Sequence, residues 1–120
     1  MSSAGEPEAP GGALSAERAD AIAGLFGILA ATVRVQILWQ LASGDRDVGT
    51  LAEELAQTVP AVSHHLAKLR MAGLVRARRA GQRQVYQLTD RAVIDLIAHV
   101  AEDPEPASGT RVRGRRRSTA

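Results

Sequence analysis

Thr58–Val75, TVPAVSHHLAKLRMAGLV, is the stretch from which the rest of this 120-residue chain can be read. Val62, Leu66 and Leu69 recur at i, i+4 and i+7, which gives a helix one apolar face to bury. Thr58 is the predicted N-cap, and Pro60 falls in the first turn, where its missing N–H costs little. Gly73, after Met71 and Ala72, predicts a left-handed stop. On a 3.6-residue wheel, Pro60, Ser63, His64, Ala67 and Lys68 point away from Val62 and Leu66. That outward face is small and polar, with one cation. A helix made for water usually carries long charged pairs at i,i+4. A helix made for a DNA groove needs short donors and acceptors that allow close approach to base edges. Taken alone, the Ser-His-His face fits a solvated helix equally well, so the flanking segments have to decide.

Upstream, Val48–Ala56 (VGTLAEELA) reads as a short helix with Leu51, Ala52 and Leu55 apolar. Thr50 is its predicted cap, with Glu53 three residues later in the capping-box arrangement. A short turn at Gln57 and Thr58 then makes a helix-turn-helix pair. Downstream, Leu74–Arg79 and Arg83–Leu88 read as two strands around Ala80-Gly81-Gln82. From Lys68 to Arg83 the charged residues are Lys68, Arg70, Arg76, Arg78, Arg79 and Arg83, and no acid interrupts them. A basic hairpin directly after such a helix pair is a wing, whose arginines can reach phosphates or a minor groove. The candidate contacts to double-stranded DNA are therefore Thr58, Pro60, Ser63, His64 and Lys68 on the helix, and Arg78, Arg79, Gln82 and Arg83 on the wing.

VSHHLAKLRMAGLV followed by RRAGQRQVYQLTD resembles the core of the ArsR/SmtB group of bacterial winged-helix repressors. LAATVRVQILWQLASG, upstream, resembles that family's first core segment, with Ala31-Thr32-Val33 where Asp-Pro-Thr is usual. The resemblance covers roughly residues 14 to 103. It implies a homodimer seated on operator DNA that responds to a metal ion or another small signal.

One domain fits a chain of this length. There is no cysteine, which excludes disulfides, thiolate metal ligands and thiol redox sensing. No apolar run approaches ~18 residues and no signal-peptide pattern is present, so a cytoplasmic protein with no membrane partner is expected. Phe26, Trp39 and Tyr86 are the only aromatics, too few for a single-strand binder built on base stacking. The net charge of +2 hides an asymmetry. Glu17, Asp20, Asp45, Asp47, Glu53 and Glu54 outnumber Arg18, Arg34 and Arg46 between Leu14 and Ala67, whereas the helix end and hairpin that follow are basic.

The expected architecture is mainly α with a small β-hairpin wing, a winged helix-turn-helix that dimerises through its first and last helices. Residues 1–13 form a tail rich in Gly, Pro and small polar residues, 14–103 the domain, and 104–120 a second tail with five arginines from Arg111 to Arg117. The first helix runs from a Ser15 cap to about Ala30, and Gly24 and Gly27 suggest close approach of another helix. A second runs from about Thr32 to Ala42, with Trp39 a core or interface residue. The last runs from Asp90 to about Glu102, capped by Thr89, and carries more apolar face than one small domain can bury. A homodimer accounts for that excess.

No nucleophile–base constellation, phosphate loop or H-E-x-x-H is present, so no enzyme is expected. Asp95, His99, Glu102 and Asp103 can share one face of the last helix, a candidate site for nickel, cobalt or zinc; a solvated ion pair is the alternative. The interhelical metal site of the resembled family begins Asp-x-His, whereas Asp90 here is followed by Arg91 and Ala92. Its cysteine-bearing segment corresponds to Asp47-Val48-Gly49-Thr50, without a thiol. Sensing through another site, through a metal-sensing partner protein, or not at all remain open. The rival readings of the whole chain are a winged-helix protein-interaction module and a small metal-binding protein centred on His99.

Overall fold

The computed structural model describes residues 12–101. The expected tail from 104 to 120, most of the N-terminal tail, and Glu102 and Asp103 lie outside the described residues. The element order is α1 (Ala16–Leu29), α2 (Thr32–Ala42), β1 (Arg46–Asp47), α3 (Val48–Leu55), α4 (Val59–Met71), β2 (Val75–Ala80), β3 (Arg83–Leu88) and α5 (Ala92–Ala101). It is the expected winged helix-turn-helix.

The core forms where three helices bring their apolar stripes together. Ile37, Leu38 and Leu41 come from α2, Leu51 and Ala52 from α3, and Val62, Leu66 and Leu69 from α4. Ile37, Leu38, Leu51, Val62 and Leu69 are wholly buried, and Val75, Val93 and Ile94 close the cluster. Burying a side chain of this size contributes about 1.5–3 kcal/mol. That anchoring, far more than helix propensity, holds the eight-residue α3 in place.

Caps explain where the elements begin. Ser15 accepts the Arg18 N–H at the start of α1, as expected. For α3 the cap is Asp47, not Thr50. Asp47 Oδ1 accepts the Thr50 N–H at 2.8 Å, which leaves Thr50 inside the first turn and the Thr50–Glu53 capping box unformed. The cause is long-range: Asp47, in β1, pairs with Val85 of β3, so its backbone is already extended where the helix starts. Ala56 ends α3 in the left-handed region at φ 55°, unusual for a residue with a Cβ. At the other end of the domain, Asp90 takes the role assigned to Thr89. Its Oδ1 accepts the Ala92 N–H, and α5 begins at Ala92 rather than Asp90.

The sheet has three strands in the order β1-β3-β2, all antiparallel. Two-residue β1 escapes any reading by periodicity. Ala80 pairs with Arg83, so the turn is Gly81-Gln82, with Gly81 at φ 68°, where a side chain would be strained. Ala80, placed in the turn by sequence, is the last residue of β2.

α1 has no buried residue within the chain. A Cβ added at Gly24 or Gly27 would meet nothing within 4 Å, so the close approach expected at these glycines does not occur inside one protomer. Phe26 and Trp39 are about half exposed, which removes Trp39 from the core. Val100 on α5 is 69% exposed. Phe26, Leu29, Val35, Leu96, Ile97 and Val100 line an open apolar groove of about 370 Å³. Among the described residues no single helix is long and apolar enough to cross a membrane.

Candidate nucleic-acid interface

α4 presents one face to the core and the opposite one to solvent. Thr58 caps it by accepting the Ala61 N–H at 3.2 Å, and Pro60 sits in the first turn. Gly73 lies at φ 78° just past its end. With Val62, Leu66 and Leu69 buried, Thr58, Pro60, Ser63, His64 and Lys68 are all exposed along the other side. Among the described residues the side chains of Ser63, His64 and Lys68 have no hydrogen-bond or ion-pair partner in the chain. α3 packs behind α4, and the wing follows it after three residues.

His65, beside this face, has a role that helical periodicity does not reveal. It is half-buried, and its Nδ1 accepts from Arg34 Nε at 3.1 Å. Arg34 Nη1 also donates to the Ile28 carbonyl at 3.0 Å, in the last turn of α1. Burial lowers the His65 pKa below its ordinary value. The positive charge of Arg34 acts in the same direction, followed by those of His64 and Lys68. The ring is therefore neutral near pH 7, which its acceptor role requires.

Strand pairing sorts the wing side chains by face. Val75, Ala77, Tyr86 and Leu88 share the core-facing side, and Arg79 and Gln84 continue it towards the tip. Arg76, Arg78, Val85, Arg83 and Gln87 share the other side. There, two of the wing arginines meet acids. Arg78 Nη2 lies 3.2 Å from Asp45 Oδ2, and Arg83 Nη1 lies 2.8 Å from Asp47 Oδ2. Gln87 also donates to Asp45, at 3.2 Å, and Arg76 donates to Gln87 at 3.0 Å. Asp47 is held below the usual carboxylate range, first by hydrogen bonding from Thr50 and then by Arg83. A basic run without acids in the sequence is thus partly neutralised by acids supplied from β1 and the residue before it, at the far edge of the sheet. Arg79 and Gln82 are exposed, and Arg79 has no side-chain partner among the described residues.

The proposed metal cluster is only partly covered. Asp95 and His99 lie one turn apart on α5, both exposed, while Glu102 and Asp103 fall outside the described residues. Among the described residues no three His, Cys, Asp or Glu side chains come together to hold an ion.

Comparison with known proteins agrees with this geometry. Residues 32–77, from α2 to the start of the wing, match the bacterial regulatory protein, arsR family. The HTH-type transcriptional regulator KmtR of Mycobacterium tuberculosis is 45% identical over 83 residues, covering 69% of this chain and 64% of KmtR. The chain thus spans just under two thirds of that relative's length. The HTH-type transcriptional regulator NmtR of the same organism is 41% identical over 91 residues, covering 76% of this chain and 73% of NmtR. Among solved structures, the homodimeric winged helix-turn-helix DNA-binding domain from Mycobacterium bovis superimposes with a TM-score of 0.65 at 36% identity, covering 73% of this chain and 84% of that one.

Proposed function

Because the chain belongs to the arsR family of bacterial regulatory proteins, we propose that it is a sequence-specific DNA-binding transcriptional regulator that holds a partly palindromic operator as a homodimer. The observation that carries this is the α4 surface. Among the described residues Ser63, His64 and Lys68 have no hydrogen-bond or ion-pair partner, and the opposite side of their helix is locked by Val62, Leu66 and Leu69. Rigid backing and short polar tips are what base-edge readout in a major groove requires. The wing beside it supplies Arg79 as a phosphate or minor-groove contact.

Dimerisation gives a use to the apolar surface that one protomer leaves bare. α1 has no fully buried residue in its own chain, only Ile28 and Leu29 resting half-buried on the core, and Phe26 and Val100 stand open in the groove between α1 and α5. A second copy packed on these helices covers them and sets two α4 helices about one DNA turn apart, ~34 Å. Selection of genomic fragments by the purified full chain, followed by gel shift at several salt concentrations, tests the proposal. Enrichment of one partly palindromic sequence bound by dimers is the expected result. Uniform, sequence-independent retention, or none, overturns it.

A further inference from the structure

Among the described residues, and apart from Leu14 ahead of α1, the exposed large apolar side chains fall into two groups. Ile22, Phe26, Trp39 and Val100 belong to α1, α2 and α5, the helices around the proposed dimer surface. Val59 and Met71 belong instead to α4, the helix assigned to the groove, and are 46% and 87% exposed. Met71 is a flexible side chain at the far end. Val59 is different: it is the first residue of the helix and is followed by Pro60. Its χ1 is restricted by β-branching, and the Pro60 ring stiffens the backbone beside it. An apolar contact there would immobilise almost nothing that is not already fixed.

The chemistry of the first turn narrows what Val59 can meet. Thr58 Oγ1 accepts the Ala61 N–H and keeps its own O–H to donate, while Pro60 has no N–H to offer. Beside that one hydroxyl, the turn that leads the helix exposes two apolar groups, Val59 and Pro60. Ser63 and Pro60's i+4 neighbour His64 come one turn later. N-terminal residues of a groove-bound helix are the ones that meet base edges. In the major groove only thymine carries an apolar group, its 5-methyl. Cytosine offers a C–H and an amino donor there, and the purines offer N7 with O6 or an amino group. Any of these polar atoms pressed on Val59 would lose water and gain no partner.

We propose that Val59 is a specificity-determining residue that packs on a thymine 5-methyl group, and that each operator half-site therefore carries a thymine opposite the start of α4. This rests on the operator-binding reading above and adds one base to it. The contact is worth about one buried methyl, about a fourfold change in affinity per half-site.

The test uses full-length protein and the operator recovered by fragment selection. Each thymine is replaced in turn by deoxyuridine, which keeps every hydrogen bond of the pair and removes only the methyl. Wild type should lose about fourfold at one thymine per half-site. Val59→Ala, which keeps a good helix former at an exposed position, should lose a similar amount on the natural operator and be indifferent to deoxyuridine at that thymine alone. Wild type indifferent to every replacement, or Val59→Ala as sensitive as wild type, overturns the assignment and leaves operator binding standing. Failure of the selection to yield any specific fragment overturns both.

Discussion

Arg34 and His65, 31 residues apart, are joined by a 3.1 Å hydrogen bond in which the guanidinium is the donor and a neutral imidazole the acceptor. Through its second bond to the Ile28 carbonyl, Arg34 ties the end of α1 to the flank of α4. The helix expected to hold the partner and the helix expected to hold DNA thus share one side chain. Arg34→Met keeps the apolar stem and removes both bonds. It should cost about 1–2 kcal/mol in urea unfolding. A change within a few tenths of a kcal/mol would show that the clamp carries no stability.

His65 also sets a pH window. A histidine whose folded pKa lies below its ordinary 6.5 binds protons more readily in the unfolded chain. Its contribution is intact above about pH 6.5 and declines as pH falls from there through the lowered folded value. Asp47 and Glu54 are lowered acids, so their contributions fade only below their ordinary values of 3.8 and 4.5. Melting curves of wild type and His65→Gln between pH 7.5 and 5.5 should therefore diverge, with wild type losing more. Parallel curves would assign the acid sensitivity elsewhere.

On the reading helix, Ser63→Ala with His64→Ala should leave unfolding nearly unchanged, because both side chains are exposed. Operator affinity should drop by about 1–3 kcal/mol for each base-edge hydrogen bond that the substitutions remove. Full affinity of the double variant at physiological salt would move the reading surface off this face.

The wing arginines should not behave alike. Arg79→Gln should lower the magnitude of the log K against log salt slope by about one unit. Arg78→Gln should change it less, because Asp45 already neutralises Arg78. Asp45→Asn should do the reverse, raising affinity for all sequences and steepening the slope. Equal slopes for Arg79→Gln and Arg78→Gln would mean that the acids release their arginines when DNA arrives.

Much of this was legible because it is local. The Thr58 cap, the stripe of Val62, Leu66 and Leu69, and the left-handed glycines at positions 73 and 81 each depend on a few neighbouring residues. The misplacements have a common cause in contacts between distant segments. Thr50 has the local signature of a cap because Glu53 follows it, but pairing with β3 holds Asp47 in an extended conformation. The run from Lys68 to Arg83 is wholly basic in sequence because Asp45, 33 residues before Arg78, lies outside it. His65 is, from its neighbours alone, one of two adjacent histidines; only Arg34 on α2 makes it a half-buried acceptor.

The two residues of β1 have a mechanical consequence. Arg46 and Asp47 bind β3 on one side, and Asp47 opens α3 on the other, so the sheet is spliced directly into the helix pair. β3 of the wing and the helix pair of α3 and α4 are consequently cross-braced through Asp47, which ties the proposed wing contact to the proposed reading helix within one protomer. A signal that loosens the operator has little to gain by bending this unit. On the proposed dimer, the place left for such a signal is the angle that α1 and α5 set between two units.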